Sequence, residues 1–180
     1  MNVLYRELAE RFRGEVGDLD RTVQRALHAW ERAESAVVDQ DAYLDSVALN
    51  LHSFYSGLER LFELVARHVD GTLPAGGTWH RDLLRIMSRE AVDVRPAVID
   101  ADAASDLDEF RRFRHLVRNV YTANLLPERM AGMLQTLPDL WFGLRTHLLA
   151  FADFLVHLAC VGETDGNDGQ GDGDREAEGL

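Results

Sequence analysis

Residues 110–121 read Phe110-Arg111-Arg112-Phe113-Arg114-His115-Leu116-Val117-Arg118-Asn119-Val120-Tyr121, and this stretch decides the fold. It places four arginines within eight residues of a chain whose formal net charge is −12. Ser105 is a suitable N-cap, and the three carboxylates that closely follow it are favourable near a helix N-terminus. The pattern therefore predicts a helix over residues 105–124.

At roughly 100° per residue, the side chains of this helix sort into two sectors. The apolar sector contains Phe110, Phe113, Leu116, Val117 and Val120. The polar sector contains Arg111, Arg114, His115 and Arg118, with Tyr121 at its border. On a solvated helix face, residues at i,i+4 spacing typically carry opposite charges and stabilise the helix. Here the polar residues one turn apart repel each other or add no stability to the helix. The helix is thus predicted to pack on a core and to present an anion-binding surface.

Composition favours a soluble protein of one domain. The 180 residues, 46% of them hydrophobic, are enough for a substantial core. No apolar run approaches the length of a membrane span and the first residues do not resemble a signal peptide, so a cytoplasmic location is expected. Cys160 is the single cysteine, which excludes an internal disulfide framework and a multi-cysteine zinc site, and it is expected to be buried.

Apolar residues recur every three or four positions along most of the chain, and no period-two pattern typical of a strand is convincing. Asp39 or Asp41 can cap a second helix and Thr78 a third. Pro127 suits the first turn of a last helix, which is expected to bend at Pro138. The sequence predicts an all-α bundle of about five helices, at residues 2–37, 41–69, 79–87, 105–124 and 127–161.

The last nineteen residues differ in composition from the rest. Residues 162–180 contain six glycines, seven acidic residues and one arginine. Such a segment cannot bury enough apolar surface to fold and is predicted to be a disordered tail. The predicted organisation is a helical domain at residues 1–161 followed by this tail.

The polar sector contains groups suited to RNA cleavage without a metal. That reaction must deprotonate the attacking 2′-hydroxyl, protonate the leaving 5′-oxygen and stabilise charge on the phosphorane. His115 can transfer protons near neutral pH, and Arg111, Arg114 and Arg118 can bind the phosphate. The alternative is a surface helix whose arginines bind carboxylates elsewhere in this acidic chain.

Two other groups of residues are weaker candidates. Trp79 and His80 begin a short helix after a glycine-rich loop and could line a site, but packing and capping are the favoured roles. His52, Glu59 and Glu63 lie broadly on one side of the second helix. They lack the paired-histidine spacing of metal motifs, so structural roles are favoured there too, and no metal site is predicted.

Four segments carry a resemblance to a known family: Leu51-His52-Ser53-Phe54-Tyr55-Ser56-Gly57-Leu58-Glu59-Arg60, Trp79-His80-Arg81-Asp82-Leu83-Leu84, Arg95-Pro96-Ala97-Val98-Ile99 and, above all, Arg112-Phe113-Arg114-His115-Leu116-Val117-Arg118-Asn119-Val120-Tyr121. On these segments the chain resembles the HEPN superfamily and, within it, the HepT-like ribonuclease toxins of toxin–antitoxin pairs. The resemblance covers most of residues 1–160. It implies an all-α, homodimeric, metal-independent endoribonuclease without a cofactor.

The family's motif is an Arg, four to six intervening residues and a catalytic His, with a Tyr two positions later in HepT-like toxins. On this sequence it places the Arg at Arg114, the following polar residue at His115 and the Tyr at Tyr121. Asn119 occupies the position of the family's His. An Asn side chain can hydrogen-bond RNA but cannot shuttle a proton near pH 7.

Two interpretations follow from Asn119. In the first, His115 takes over proton transfer, with Arg114 and Arg111 or Arg118 on the phosphate. In the second, the chain is a HEPN module that binds RNA, nucleotide or a partner protein without cleaving.

The resemblance also implies partners. A minimal nucleotidyltransferase (MNT-type) antitoxin would attach AMP to Tyr121, which adds charge and bulk beside the arginines. A second copy of the chain would bring two motifs together across a two-fold axis and form a composite cleft.

Overall fold

Five helices make up most of the protein in the computed structural model, which describes residues 2–119 and 127–164. In chain order they are α1 (Asn2–Ser35), α2 (Gln40–His68), α3 (Trp79–Met87), α4 (Ala101–Asn119) and α5 (Pro127–Thr164). Within the described residues, the only β pairing is an isolated bridge between Ala91 and Arg95. The predicted all-α fold of five helices is confirmed.

The long helix α1 packs along both α2 and α5. Most of its apolar residues recur at helical spacing and are buried or partly buried, which places one continuous stripe between the two partners. Phe12 of α1 meets Phe151 of α5 with ring centroids 5.4 Å apart. Trp141 of α5 donates its indole N–H to Oδ1 of Asp20 at 2.9 Å, so its buried polar atom is satisfied.

The arginine-rich helix α4 packs against α2, and also contacts α3 and α5. Phe110 and Phe113 are buried as their place in the apolar sector predicts. The ring of Phe110 contacts Phe54 of α2 edge-on, with centroids 5.5 Å apart. These anchors fix the rotation of α4 about its axis and therefore decide which of its arginines lie next to α2.

The start of α4 differs from the prediction. The helix begins at Ala101, and Oδ1 of Asp100 accepts a hydrogen bond from the backbone N–H of Ala103 at 2.7 Å. Asp100 is therefore the N-cap, and Ser105 lies inside the helix instead of capping it. Both residue types cap well, so local sequence did not decide between them. The predicted end of this helix, at residue 124, lies outside the described residues.

The predicted capping side chains of α2 and α3 also behave differently from expectation. Asp39 and Thr78 occupy the N-cap positions, but neither side chain bonds to a backbone N–H of its helix. Thr78 instead donates its hydroxyl to a carboxylate oxygen of Asp82 at 2.8 Å. Asp39 adopts a left-handed backbone conformation, with φ of 62°.

A buried arginine fixes the loop between α3 and α4. The Arg95 guanidinium donates from Nε and Nη2 to the two carboxylate oxygens of Asp70, at 2.6 and 2.8 Å. Its Nη1 donates to the backbone carbonyls of Arg89 and Pro96. Because this fork ties the loop to the end of α2, the positions of α3 and α4 are set relative to α2.

The end of α5 extends beyond the predicted boundary at residue 161. The helix continues to Thr164, and residues 165–180 of the predicted tail lie outside the described part. Cys160 is exposed, so the expectation that it is buried was wrong. The preceding residue, Ala159, takes the buried position, and a step of about 100° turns Cys160 away from the core.

One segment of α5 runs against the expectation that no membrane-length apolar stretch is present. Pro127–Val161 is long and apolar enough to cross a membrane, by length and composition alone. Within the bundle 33% of the most apolar window of this segment is buried, and Leu144, Leu148 and Leu155 are fully buried. A single helix of this kind is weak evidence for a membrane span.

Candidate functional site

A buried carboxylate on α2 is the centre of the candidate site. The side chain of Glu59 is only 4% exposed, and it lies among apolar residues of the helix face that packs on the core. An ionised group in such a place needs partners to offset its lost hydration. Glu59 has two: Oε1 lies 2.5 Å from Nδ1 of His80, and Oε2 lies 3.1 Å from Nη2 of Arg114. One carboxylate thus joins α2, α3 and α4.

Arg114 is held by a second contact on α2. Its Nε donates to Oγ of Ser56 at 3.1 Å, and Ser56 lies one helical turn before Glu59 on the same face. The Arg114 side chain is 17% exposed. The predicted phosphate-binding arginine is therefore anchored to α2 and still reaches the surface.

His80 joins the site from the first turn of α3. Its imidazole is 27% exposed and stacks against the ring of Trp79, with centroids 3.6 Å apart. Packing and capping were the favoured roles for this pair of residues, and that interpretation missed the contact between His80 and Glu59. The burial of Glu59 could have been predicted from the sequence. Tyr55, Glu59 and Phe62 follow the i,i+4,i+7 spacing of a buried helix face.

The Tyr55 phenol lies beneath this cluster. The residue is 1% exposed, and burial raises the pKa of Tyr55 well above its ordinary value. The negative charge of Glu59 adds to the rise, while Arg111 and Arg114 act in the opposite direction. Tyr55 therefore stays protonated at any physiological pH and contributes no charge to the site.

Two other arginines of α4 pair locally. Arg111 donates from Nε to Oδ1 of Asp108 at 2.7 Å, and Nη2 of Arg112 lies 2.5 Å from Oδ2 of the same carboxylate. Partial burial acts to raise the pKa of Asp108, but the hydrogen bonds and charges of the two arginines outweigh it and hold that pKa below its ordinary value. The pairing of Arg111 and Arg112 with Asp108 agrees with the alternative interpretation, in which arginines of this helix bind carboxylates of the chain.

The partners of Glu59 named above do not include His115, and the remaining predicted site residues lie outside the described side chains. His115 is exposed, and the imidazole on Glu59 is that of His80. The side chains of Arg118 and Asn119 lie outside the described residues, as does Tyr121. Of the predicted site residues, the structure therefore brings Arg114 and Arg111 close enough to Tyr55 to act on its pKa.

No metal centre is seen in the described part of the chain. Residues 2–119 and 127–164 contain no group of three or more His, Cys, Asp or Glu placed to hold a metal ion. Glu59, a member of the weak metal pattern on α2, uses its two carboxylate oxygens to bind His80 and Arg114.

Comparison with known proteins identifies the family. A family model described as HepT-like protein matches residues 46–155, from α2 into α5, and this range includes Glu59, His80 and Arg114. No curated protein and no solved structure matches the chain. The matched range spans more than half of the 180 residues. The chain belongs to the HepT-like family of the HEPN superfamily.

Proposed function

We propose that this protein is the toxin of a type II toxin–antitoxin module and acts as a metal-independent endoribonuclease. The observation that carries the proposal is the anchoring of Arg114. Glu59 and Ser56 hold its guanidinium at the rim of the core, so that its remaining N–H groups can bind a phosphate without first being ordered. Membership of the HepT-like family supports the proposed type of reaction. The anchored Arg114 is where the phosphate of the RNA is proposed to bind.

The proposed reaction is attack of the ribose 2′-hydroxyl on the neighbouring phosphodiester. Arg114 stabilises the charge that develops on the phosphorane, and Arg111 and Arg118 are proposed as further phosphate contacts. Asn119 is proposed to hydrogen-bond the RNA, since an amide can donate and accept. His115 is proposed for proton transfer, as in the first of the two interpretations of Asn119.

Regulation is proposed to act on the same helix. A cognate MNT-type nucleotidyltransferase would attach AMP to Tyr121, two positions after Asn119. The added phosphate charge and nucleotide bulk would occupy the arginines and exclude RNA. We further propose a cytoplasmic homodimer in which residues 1–161 form the working domain and the acidic tail stays solvated.

The test is RNA cleavage by the purified protein in the presence of EDTA. Wild type should cleave, and Arg114→Ala should reduce the rate constant by about 100-fold or more, the usual loss of an oxyanion-stabilising donor. Arg112→Ala is the matched control on the same helix, because Arg112 is exposed and pairs with Asp108. Cleavage by Arg114→Ala at the wild-type rate contradicts the role of Arg114.

Arg114 also stabilises a buried charge, so folding must be followed in the same experiment. Arg114→Lys keeps the positive charge near Glu59 but loses the fork of donors. It should fold with a melting temperature close to that of wild type and still lose at least about ten-fold in rate. Equal losses of stability and activity across both variants would indicate a structural role only.

A non-catalytic binding module is the second candidate function. The observation favouring it is that Arg111, Arg112 and Arg114 all pair with carboxylates of their own chain. Asn119 at the position of the family's His agrees with it. Asn119→His separates the two functions: a large gain of cleavage would indicate a module that has lost its catalytic group, and an unchanged rate would indicate a site centred on another imidazole.

A further inference from the structure

His80 and Arg114 share one carboxylate, and this places an imidazole and a guanidinium side by side. Each contacts a different oxygen of Glu59, which is itself almost fully buried. Both are partly exposed, so the carboxylate lies below them and their outer edges reach the surface. A phosphodiester bound by Arg114 would therefore be a neighbour of the His80 ring, since both side chains contact Glu59.

We propose that His80, oriented by Glu59, is the general base of the ribonuclease reaction; this inference rests on the proposed function. The contact to Glu59 involves Nδ1. A carboxylate acceptor at Nδ1 favours the tautomer with its proton on that nitrogen, which leaves the lone pair on Nε2 for a substrate proton. The ring of Trp79, stacked on the imidazole, limits its rotation.

The proposed step conserves atoms and charge. The 2′-oxygen forms a bond to phosphorus, and its proton moves to Nε2 of His80. The bond between phosphorus and the 5′-oxygen breaks, and the 5′-oxygen takes a proton from water. Products are a 2′,3′-cyclic phosphate and a 5′-hydroxyl, and the imidazolium then returns its proton to solvent.

Glu59 acts through His80 and Arg114 and is a positioning residue in this scheme. It fixes the imidazole tautomer, stabilises the imidazolium that forms and holds the guanidinium that binds the phosphate. The assignment moves proton transfer from α4, where the sequence places it on His115, to the start of α3. With His80 as the base, Asn119 does not have to transfer a proton.

His80→Asn is the decisive variant, because the Asn amide can donate to Glu59 where Nδ1 did but has no basic nitrogen. Single-turnover cleavage of an RNA oligonucleotide in EDTA should fall by about 100-fold or more. The melting temperature and the affinity for a 2′-O-methyl copy of the oligonucleotide should stay at wild-type values. His68→Asn, at the exposed end of α2, is the matched control and should cleave at the wild-type rate.

Chemical rescue covers the case in which His80→Asn alters the fold. In His80→Ala, added imidazole should restore cleavage by about ten-fold or more if the missing group is a base. If the variant loses cleavage, melting temperature and RNA affinity together, and imidazole does not restore cleavage, His80 has a structural role. That result would overturn the inference.

The remaining outcomes separate this inference from the proposed function. If wild type cleaves and His80→Asn cleaves equally well, the inference fails and the function stands. If His115→Asn abolishes cleavage while His80→Asn does not, His115 is the base. If wild type does not cleave RNA, the proposed function fails, and the base assignment fails with it.

Discussion

Oε2 of Glu59 lies 3.1 Å from Nη2 of Arg114, and this contact joins the middle of α2 to the arginine-rich face of α4. The carboxylate is buried, while the guanidinium reaches the surface. A charged residue inside the bundle thus sets the position of a charged residue on its surface. The contact explains how one arginine of the positively charged stretch, Arg114, is held in place on α4.

The first prediction concerns Glu59→Gln. The change keeps the shape of the side chain but removes the charge that faces Arg114 and His80. We expect a loss of about 2 kcal/mol in the free energy of unfolding, typical of a hydrogen bond to a charged group, measured by urea denaturation. Glu10→Gln, on the exposed face of α1, should change it by less than about 0.5 kcal/mol. Equal stabilities would show that the Glu59 contacts contribute nothing.

The second prediction concerns the buried ion pair below the loop. Arg95→Met leaves the Asp70 carboxylate without its bidentate partner and removes the guanidinium donor from the backbone carbonyls of Arg89 and Pro96. We expect a loss of about 3–5 kcal/mol in unfolding free energy. Arg89→Met removes an exposed arginine from the same loop and should be near neutral. A small effect of Arg95→Met would mean that the loop is held by other contacts.

The third prediction tests the anchor that sets the rotation of α4. Phe110→Ala removes a buried ring that contacts Phe54 and should destabilise the protein by about 3–5 kcal/mol. Phe142→Ala changes a ring that is 77% exposed in the single chain and should cost less than about 0.5 kcal/mol in the monomer. Thermal unfolding at low protein concentration compares the two. Similar losses would contradict the assigned packing of α4.

The fourth prediction is a pH dependence from Tyr55. Burial raises the pKa of this phenol in the folded state, whereas in the unfolded chain it ionises near pH 10. Below pH 10 the phenol is protonated in both states, so its contribution is fully present. Above pH 10 the unfolded state releases a proton that the folded state keeps, and stability falls as pH rises. Unfolding between pH 9 and 11 should show this loss in wild type and less of it in Tyr55→Phe.

The helices could largely be predicted from the sequence, since both ends of α1, α2 and α3 lie within two residues of their predicted positions. The start of α4 could not, because Asp100 and Ser105 are equivalent capping residues in local terms. Asp100 was selected by the loop that Arg95 holds in place, which is a tertiary contact. The prediction that Cys160 is buried was wrong because cysteine is usually a buried residue type, whereas the angular position of Cys160 on α5 faces away from the core.

The candidate site could be predicted only in part. The arginine-rich stretch stood out because its charge opposes that of the chain, and the resemblance to the HepT-like motif singled out Arg114 within it. The partner of Arg114 could not be identified, since Glu59 lies on another helix and the packing of α4 on α2, with Phe110 against Phe54, brings the two together. The role of His80 depends on the same packing, because nothing local in Trp79-His80 indicates a distant carboxylate.

The measurement that tests the central claim most directly is the chemistry of the RNA ends produced by the purified protein in EDTA. An oligonucleotide cleaved by wild type should carry a 2′,3′-cyclic phosphate on one product and a 5′-hydroxyl on the other, and a copy with 2′-deoxyribose at the cleaved position should remain intact. Arg114→Ala should yield neither product above background. Cleavage of the 2′-deoxy copy, products with a 5′-phosphate and a 3′-hydroxyl, or no cleavage by wild type would contradict a metal-independent ribonuclease built around Arg114.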